Sequence, residues 1–248
     1  MSELLGLYAL WYREFKVFTR EKSRIVSSIV NPLIWLVAFG GGLGSVISFG
    51  GTNYQTYIFP GVLMLTVLFT SIFFGLYIVW DKKIDFFKEV LVAPLSRTTL
   101  FVGKMLGGCT DALIEALIIL ALGPIIGVTY TAYSLGIVVL FTLLVAAGTT
   151  SLGLAIGSQM SSFQGFGLVQ SFVVWPLFFL SGALYPLDNL PMWLQTIVYV
   201  NPLSYIVDGM RGAMLGIGHF PLFVDLGVAV LFVTVLVSVG TLAFRRMT

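Results

Sequence analysis

The chain has 248 residues, of which 58% are hydrophobic and only 10% charged, with a formal net charge of +2 and a mean hydropathy of +1.02. This composition excludes a soluble globular domain, and so small and scattered a positive charge gives no footing to a nucleic-acid partner. One cysteine (Cys109) excludes a disulfide framework within the chain and a multi-cysteine metal site, and one histidine (His219) leaves little for imidazole chemistry.

Residues 1–24 read as an amphipathic helix. Leu4, Tyr8, Trp11, Phe15 and Phe18 recur at steps of four, three, four and three, with Arg13, Glu14 and Lys16 elsewhere around it. A basic helix carrying a tryptophan suits a membrane surface, and a partner-binding role stays open beside it. The stretch is too long and too basic for a signal peptide, although small residues after Ala38 imitate a cleavage site.

Six apolar spans follow, at 26–47, 58–79, 105–128, 134–157, 167–184 and 223–244. Each approaches the ~20 apolar residues that a hydrocarbon core of about 30 Å requires. The fold class expected is therefore an all-α integral membrane protein, with 1–248 forming a single polytopic domain. Lysine and arginine set its orientation. Arg13, Lys16, Arg20, Lys22 and Arg24 precede the first span; Lys82, Lys83, Lys88, Arg97 and Lys104 lie between the second and third; Arg245 and Arg246 end the chain. Only Arg211 falls on the other side, so both termini are expected in the cytoplasm and the protein in the cytoplasmic membrane. No internal repeat of the kind that builds secondary carriers is evident.

Between the second and third spans, residues 82–97 read KKIDFFKEVLVAPLSR. Asp81 or Asp85 can cap a short helix that is apolar at Phe86, Phe87, Val90 and Leu91 and charged at Lys88 and Glu89. Pro94 ends it, and Ser96 can cap the helix that runs through Gly103 and Lys104 into the third span. Such a segment suits a groove on another protein, whereas a solvated loop would not need Phe86, Phe87, Val90, Leu91 and Val92 so close together.

In the third span Asp111 and Glu115 share a face with Lys104. They could serve a proton or substrate path. The structural alternative, favoured by their place near one end of the span, pairs Asp111 with Lys104 and lets Glu115 hydrogen-bond to a neighbouring helix. The pairs Gly40/Gly44, Gly103/Gly107, Gly153/Gly157 and Gly212/Gly216 permit close helix contact.

Residues 185–222 are apolar but cut by Pro186, Pro191, Pro202 and Pro221, leaving two short pieces of re-entrant or interfacial length. The second piece, after the break at Asn201 and Pro202, is apolar at Leu203, Ile206, Val207, Met210 and Met214, with Asp208 and Arg211 on its other side. Pro186, Pro191, Trp193, Asn201, Pro202, Asp208 and Arg211 are candidates for an outer gate. The alternative is a cap over the bundle in which Asp208 and Arg211 form a local ion pair. Trp35, Tyr54, Tyr57, Trp80, Trp175, Tyr185, Trp193 and Tyr199 fall near span ends and suit interfacial belts, while Trp175 and Phe178 could instead line a path.

The stretch FFKEVLVAPLSRTTLFVGK resembles the segment between the second and third spans of type-2 ABC exporter membrane subunits. That group includes drug, O-antigen and teichoic-acid exporters and nodulation-type permeases. LSGALYPLDNLPMWLQTIVYVNPLSYIVDGMRGAMLG resembles the same family's segment before the last span, so the resemblance covers essentially the whole chain. It implies a coupling helix within residues 82–97, where Asp85, Phe86, Phe87, Lys88, Glu89, Leu91, Pro94 and Arg97 would meet a separate ATPase subunit. It also implies a hairpin of two short helices dipping in from outside, a homodimer with two ATPase copies, and export of a hydrophobic or amphipathic substrate such as a drug-like molecule or lipid. The chain's only Gly-Lys pair, Gly103–Lys104, is followed by Met105 and makes no phosphate-binding loop. ATP and Mg are therefore expected on the partner, with no catalytic, cofactor or metal site on this chain. Competing readings are export of polysaccharide or lipid-linked glycan, a proton-coupled carrier working through Asp111 and Glu115, and an intramembrane enzyme.

Overall fold

The computed structural model describes residues 3–44, 48–49, 52–83, 95–188 and 190–246. In chain order these form α1 (Glu3–Arg20) and α2 (Lys22–Trp35), the latter continuing through a π-helical turn at Leu36–Gly41. A two-residue antiparallel pair follows, β1 (Ser48–Phe49) with β2 (Thr52–Asn53). Then come α3 (Tyr54–Leu76), α4 (Ile78–Lys83), and α5 (Arg97–Leu122), which ends in a 3-10 turn at Gly123–Ile126. The rest is α6 (Ala132–Gln159), α7 (Gly165–Phe179, with a π turn at Gln170–Val174), α8 (Met192–Val200), α9 (Pro202–Leu215) and α10 (Leu222–Arg245).

Among the described residues four helical stretches are long and apolar enough to cross a membrane: Tyr54–Lys83, Arg97–Ile126, Ala132–Gln159 and Leu222–Arg245, of 30, 30, 28 and 24 residues. At a rise of about 1.5 Å per residue each exceeds 30 Å. The other two expected spans coincide with shorter apolar helices, Ile29–Gly41 and Gly165–Phe179. Both contain a π turn, and the first also contains Pro32.

The core is organised around α3. Ile58, Phe59, Val62, Leu63, Met64, Val67, Leu68 and Ile72 have no exposed surface, and α3 packs against α5, α6 and α9. Its apolar window is 72% buried, whereas that of the equally oily α10 is 11% buried. Apolar residues all round a helix thus mean a protein core in one case and a lipid-facing surface in the other. The closest approach is between α3 and α6, where a Cβ on Gly75 would fall 2.5 Å from the backbone nitrogen of Leu154. Only glycine lets the two backbones meet there.

Helix α1 lies along the first turns of α5. Glu3 accepts hydrogen bonds from the Ser96 amide (3.0 Å) and the Thr99 hydroxyl, and Trp11 Nε1 donates to Thr110 Oγ1 at 2.8 Å. A Cβ on Gly103 would fall 3.0 Å from Leu10 Cβ, and one on Gly107 2.8 Å from Glu14 Cβ. Because the partner numbers rise together, the two helices run in the same direction. Ser96 also caps α5, accepting from Thr99 N at 3.1 Å.

The buried stripe of α1 is Gly6, Leu10, Glu14 and Phe18, so that of the expected apolar stripe Phe18 alone is buried against the protein. Leu4 and Tyr8 of that stripe are 77% and 58% exposed. The glycine groove of α5 accepts the slimmer face of α1 and turns the rings outward. There they stack on one another, Tyr8 on Tyr12 at 5.8 Å and Trp11 on Phe15 at 5.9 Å between centroids.

Two outcomes follow. Gly75→Val should cost about 1–3 kcal/mol through overpacking and lower the melting temperature in detergent, whereas Gly227→Val on α10, with open space at its Cβ, should not. The hydrogen bonds from Thr99 and then Ser96 hold the Glu3 carboxyl below its ordinary value of 4.5. A depressed acid contributes stability that is present above the ordinary value and lost as pH falls through the lower folded one. Amide protection factors at Ser96 and Thr99 should therefore hold at neutral pH and fall only well into acid, and Glu3→Gln should abolish that dependence.

Candidate functional site

Helices α2, α3, α5 and α7 enclose a cleft of about 370 Å³. Trp35, Phe69 and Trp175 supply its aromatic wall, while Asn31, Thr70, Glu115 and Gln170 supply polar groups. The Trp175 ring stands 6.1 Å from Trp35 and 5.1 Å from Phe69, the latter edge-on at 66°. Glu115 accepts a hydrogen bond from the Thr70 hydroxyl of the neighbouring α3. A second cavity shares Ser27, Asn31, Phe69, Thr70 and Gln170 and extends the cleft toward Glu21, Phe73 and Tyr77. A mostly apolar, aromatic cleft with a few polar groups suits an amphipathic molecule.

Both tryptophans of the cleft adjoin a π turn. Trp35 immediately precedes one and Trp175 immediately follows the other, and a π turn rotates the face that a helix presents beyond it. The Trp35 and Trp175 rings meet each other in the aromatic wall of the cleft. Tyr54 and Tyr57 also depart from the belt expectation: they are 4% and 3% exposed, with the Tyr54 hydroxyl donating to Leu184 O at 3.0 Å. Phe178 is fully buried, edge-on to Trp35 at 5.8 Å, and forms the floor behind the aromatic wall.

At the α1 end a cluster of charges is buried. Lys104 Nζ lies 3.0 Å from Glu14 Oε1 and 2.5 Å from Asp81 Oδ2. Arg13 lies 2.7 Å from Glu14 and 3.4 Å from Asp81. The expected pairing of Lys104 with Asp111 is thus replaced: seven residues along a helix is about 10.5 Å, beyond ion-pair reach, and helices α1 and α4 bring nearer acids. Asp81 is a member of α4 and of this cluster, which corrects its expectation as a cap. Asp111 is fully buried on α5. Arg97 opens α5, while Asp85, Phe86, Phe87, Lys88, Glu89, Leu91 and Pro94 lie outside the described residues.

At the opposite end, α8 and α9 form a hairpin. Asn201 Oδ1 caps α9 at Leu203 N (3.0 Å), and its Nδ2 donates to Leu177 O at 2.7 Å, with Pro202 at the first helical position. Asp208 and Arg211 are each 2% exposed and do not pair with each other, which corrects the local ion pair. Asp208 accepts from the amides of His219 and Phe220, both at 2.8 Å to Oδ2. Arg211 donates to Gly182 O at 2.9 Å and lies over the Tyr57 ring, 4.1 Å from its centroid. Three residues apart on α9, they bond in different directions, one to the chain that follows and one to the turn after α7. Pro191 precedes α8, Pro186 lies in the turn before it, and Trp193 is 66% exposed. His219 Nδ1 meets Asp188 at 3.2 Å and its Nε2 meets the Tyr199 hydroxyl at 3.1 Å, a grouping that sequence spacing did not reveal.

Residues 6–215 match the family described as ABC-2 type transporter. The chain belongs to the ABC-2 transporter family. It is 30% identical over 237 residues to the inner membrane transport permease YadH of Escherichia coli K12, covering 92% of this chain and 90% of the relative. A putative transport permease, ycf38, of Cyanophora paradoxa is 30% identical over 210 residues, 83% of this chain and 72% of that one. Nodulation protein J of Rhizobium leguminosarum bv. viciae is 26% identical over 249 residues, 98% and 95% of the two chains. As an ABC-2 permease the chain is a multi-pass membrane transport subunit, of the kind that works with ATPase subunits.

Arg211→Met in this permease should release the turn at Gly182 and Ala183. Lost charge-assisted hydrogen bonds of this kind cost about 1.5–3 kcal/mol, read as a lower melting temperature and faster proteolysis between α7 and α8.

Proposed function

We propose that two copies of this ABC-2 permease form an exporter in the cytoplasmic membrane, powered by two copies of a separate ATPase that carries ATP and Mg. Its cargo is hydrophobic or amphipathic, a drug-like molecule or a lipid. The observation that carries this reading is the cleft between α2, α3, α5 and α7, where Trp35, Phe69 and Trp175 face Glu115, Thr70 and Gln170. In this reading α2 and α7 complete six spans, both termini are cytoplasmic, and α8 with α9 is the re-entrant outer gate. Residues 82–97 dock on the ATPase through Asp85, Phe86, Phe87, Lys88, Glu89, Leu91, Pro94 and Arg97. A rigid-body tilt of packed helices then opens the cleft outward.

Export of a lipid-linked glycan is the second reading. It is favoured by Asn31 and Gln170, amides beside tryptophan faces on which a sugar ring could stack.

Co-expression with candidate ATPases tests the assignment. Wild type should co-purify with one, and Phe86→Asp with Phe87→Asp should abolish that partnership while membrane levels stay unchanged. In vesicles, Trp175→Ala should slow ATP-dependent transfer of a fluorescent headgroup-labelled phospholipid at least tenfold. Transport by the purified chain alone under a proton gradient would sink the exporter reading.

A further inference from the structure

A run of aromatic rings follows the cleft from one cavity into the next. Trp35 lies 6.1 Å from Trp175, Trp175 5.1 Å from Phe69, and Phe69 5.8 Å from Phe73. Phe73 then lies 6.1 Å from Phe166, which stands edge-on to Tyr77 at 6.2 Å. Trp35, Phe69 and Trp175 wall the first cavity, and Phe69, Phe73 and Tyr77 wall its extension. Trp35, Phe69, Phe73 and Trp175 are only partly buried, so ring surface remains open to a guest.

Each cavity also carries a carboxylate, Glu115 in the first and Glu21 in the second. Among the described residues neither cavity is lined by a lysine, an arginine or a histidine. Arg13 and Lys104, which border an adjoining cavity with Glu21, are held in ion pairs with Glu14 and Asp81. Glu115 is 2% exposed, and the Thr70 hydroxyl donates to it from α3, so its carboxylate is fixed before any guest arrives. Asp111, one turn earlier on α5, is fully buried and lines neither cavity.

A carboxylate this far from water is costly, and a positive charge brought beside it lowers that cost. The faces of aromatic rings attract cations too, tryptophan most strongly, and more so where water is excluded. The two effects favour the same guest. A neutral sugar could stack on the rings and bond to Asn31 and Gln170, but it makes no use of an acid rather than an amide at position 115.

We propose that the cleft selects its guest by charge: the headgroup is an organic cation, an alkylammonium or quaternary ammonium, held by the Glu115 carboxylate and the Trp35 and Trp175 rings, with its apolar tail along Phe69 and Phe73. The proposal rests on the cleft being the cargo site of the exporter proposed above, and it narrows that cargo to cationic amphiphiles. The exposed Glu21 gives the extension the same sign, so a cation meets no opposing charge along the run of rings.

The test measures saturable binding of tritiated tetraphenylphosphonium, a permanent cation, to the full-length permease in phosphatidylglycerol nanodiscs, with empty nanodiscs as background. Three competitors share one chain and differ in headgroup: decyltrimethylammonium, decyl maltoside and decyl sulfate. Decyltrimethylammonium should displace the probe at a concentration about tenfold lower than either of the others. Glu115→Gln keeps an acceptor for Thr70 and removes the charge, and it should weaken probe binding about tenfold, with Glu115→Asp losing less. Trp175→Leu should weaken binding about threefold, and Trp175→Phe should restore most of it. Displacement by decyl maltoside as readily as by the cation overturns the proposal in favour of a glycan headgroup. Unchanged binding in Glu115→Gln overturns it as well, as does a wild type with no saturable binding. Should Glu115→Gln fail to fold, the headgroup order in the wild type and the Trp175 pair decide. No ATPase enters the measurement, so a lost headgroup preference leaves the exporter reading standing with another cargo, and a permease that binds no ATPase loses that reading without altering this result.

Discussion

Helices in lipid gain little from burying apolar surface against one another, so their association depends on close packing and internal hydrogen bonds. In this protein that constraint is met by α3. It is enclosed along nearly its whole length, and at Gly75 its backbone meets that of α6 without any intervening side chain. The cleft and the turn under Arg211 both sit on this stem, because α3 supplies Thr70 and Phe69 to the cleft and Tyr57 to the ring face under Arg211.

The second constraint is that backbone groups inside a membrane must find partners within the protein. Where this chain breaks its helices it supplies side chains to meet the exposed groups. Lys82 takes the carbonyls at the end of α6, Asn201 and Asp208 take amides at two turns, and Arg211 takes the carbonyls after α7. The buried side chains of Asn201, Asp208 and Arg211 are thus committed to turns. Glu115 differs, since it also borders an open cleft. The charges near α1 differ in another way. They join α1, α4 and α5 to each other.

Much of this was legible in residue order. The hairpin break at Asn201 and Pro202 follows from local chemistry, a side chain that caps and a ring that fits the first helical turn. Ser96 as the cap of α5 is legible for the same reason. On α1, hydrophobic spacing identifies a stripe that avoids water and does not say whether lipid or protein covers it. Gly6, Leu10 and Glu14 form an unremarkable series until α5 is seen to offer a groove of glycines. Of the two readings of Asp208 and Arg211, the local ion pair rested on a spacing of three alone, whereas their hydrogen-bond partners lie 11 and 29 residues away in sequence.

Residue order alone determined that the solvent is lipid, that the chain is helical, where its breaks fall, and that no phosphate-binding loop is present. These depend on composition and on contacts a few residues long. Tertiary structure decided which oily helix is core and which is left uncovered in the chain, which acids hold Lys104, and which tryptophans meet in the wall of a cleft. The physical reason is that these outcomes depend on pairs of residues tens to more than a hundred positions apart, whose distances are set by helix packing and leave no local periodic trace.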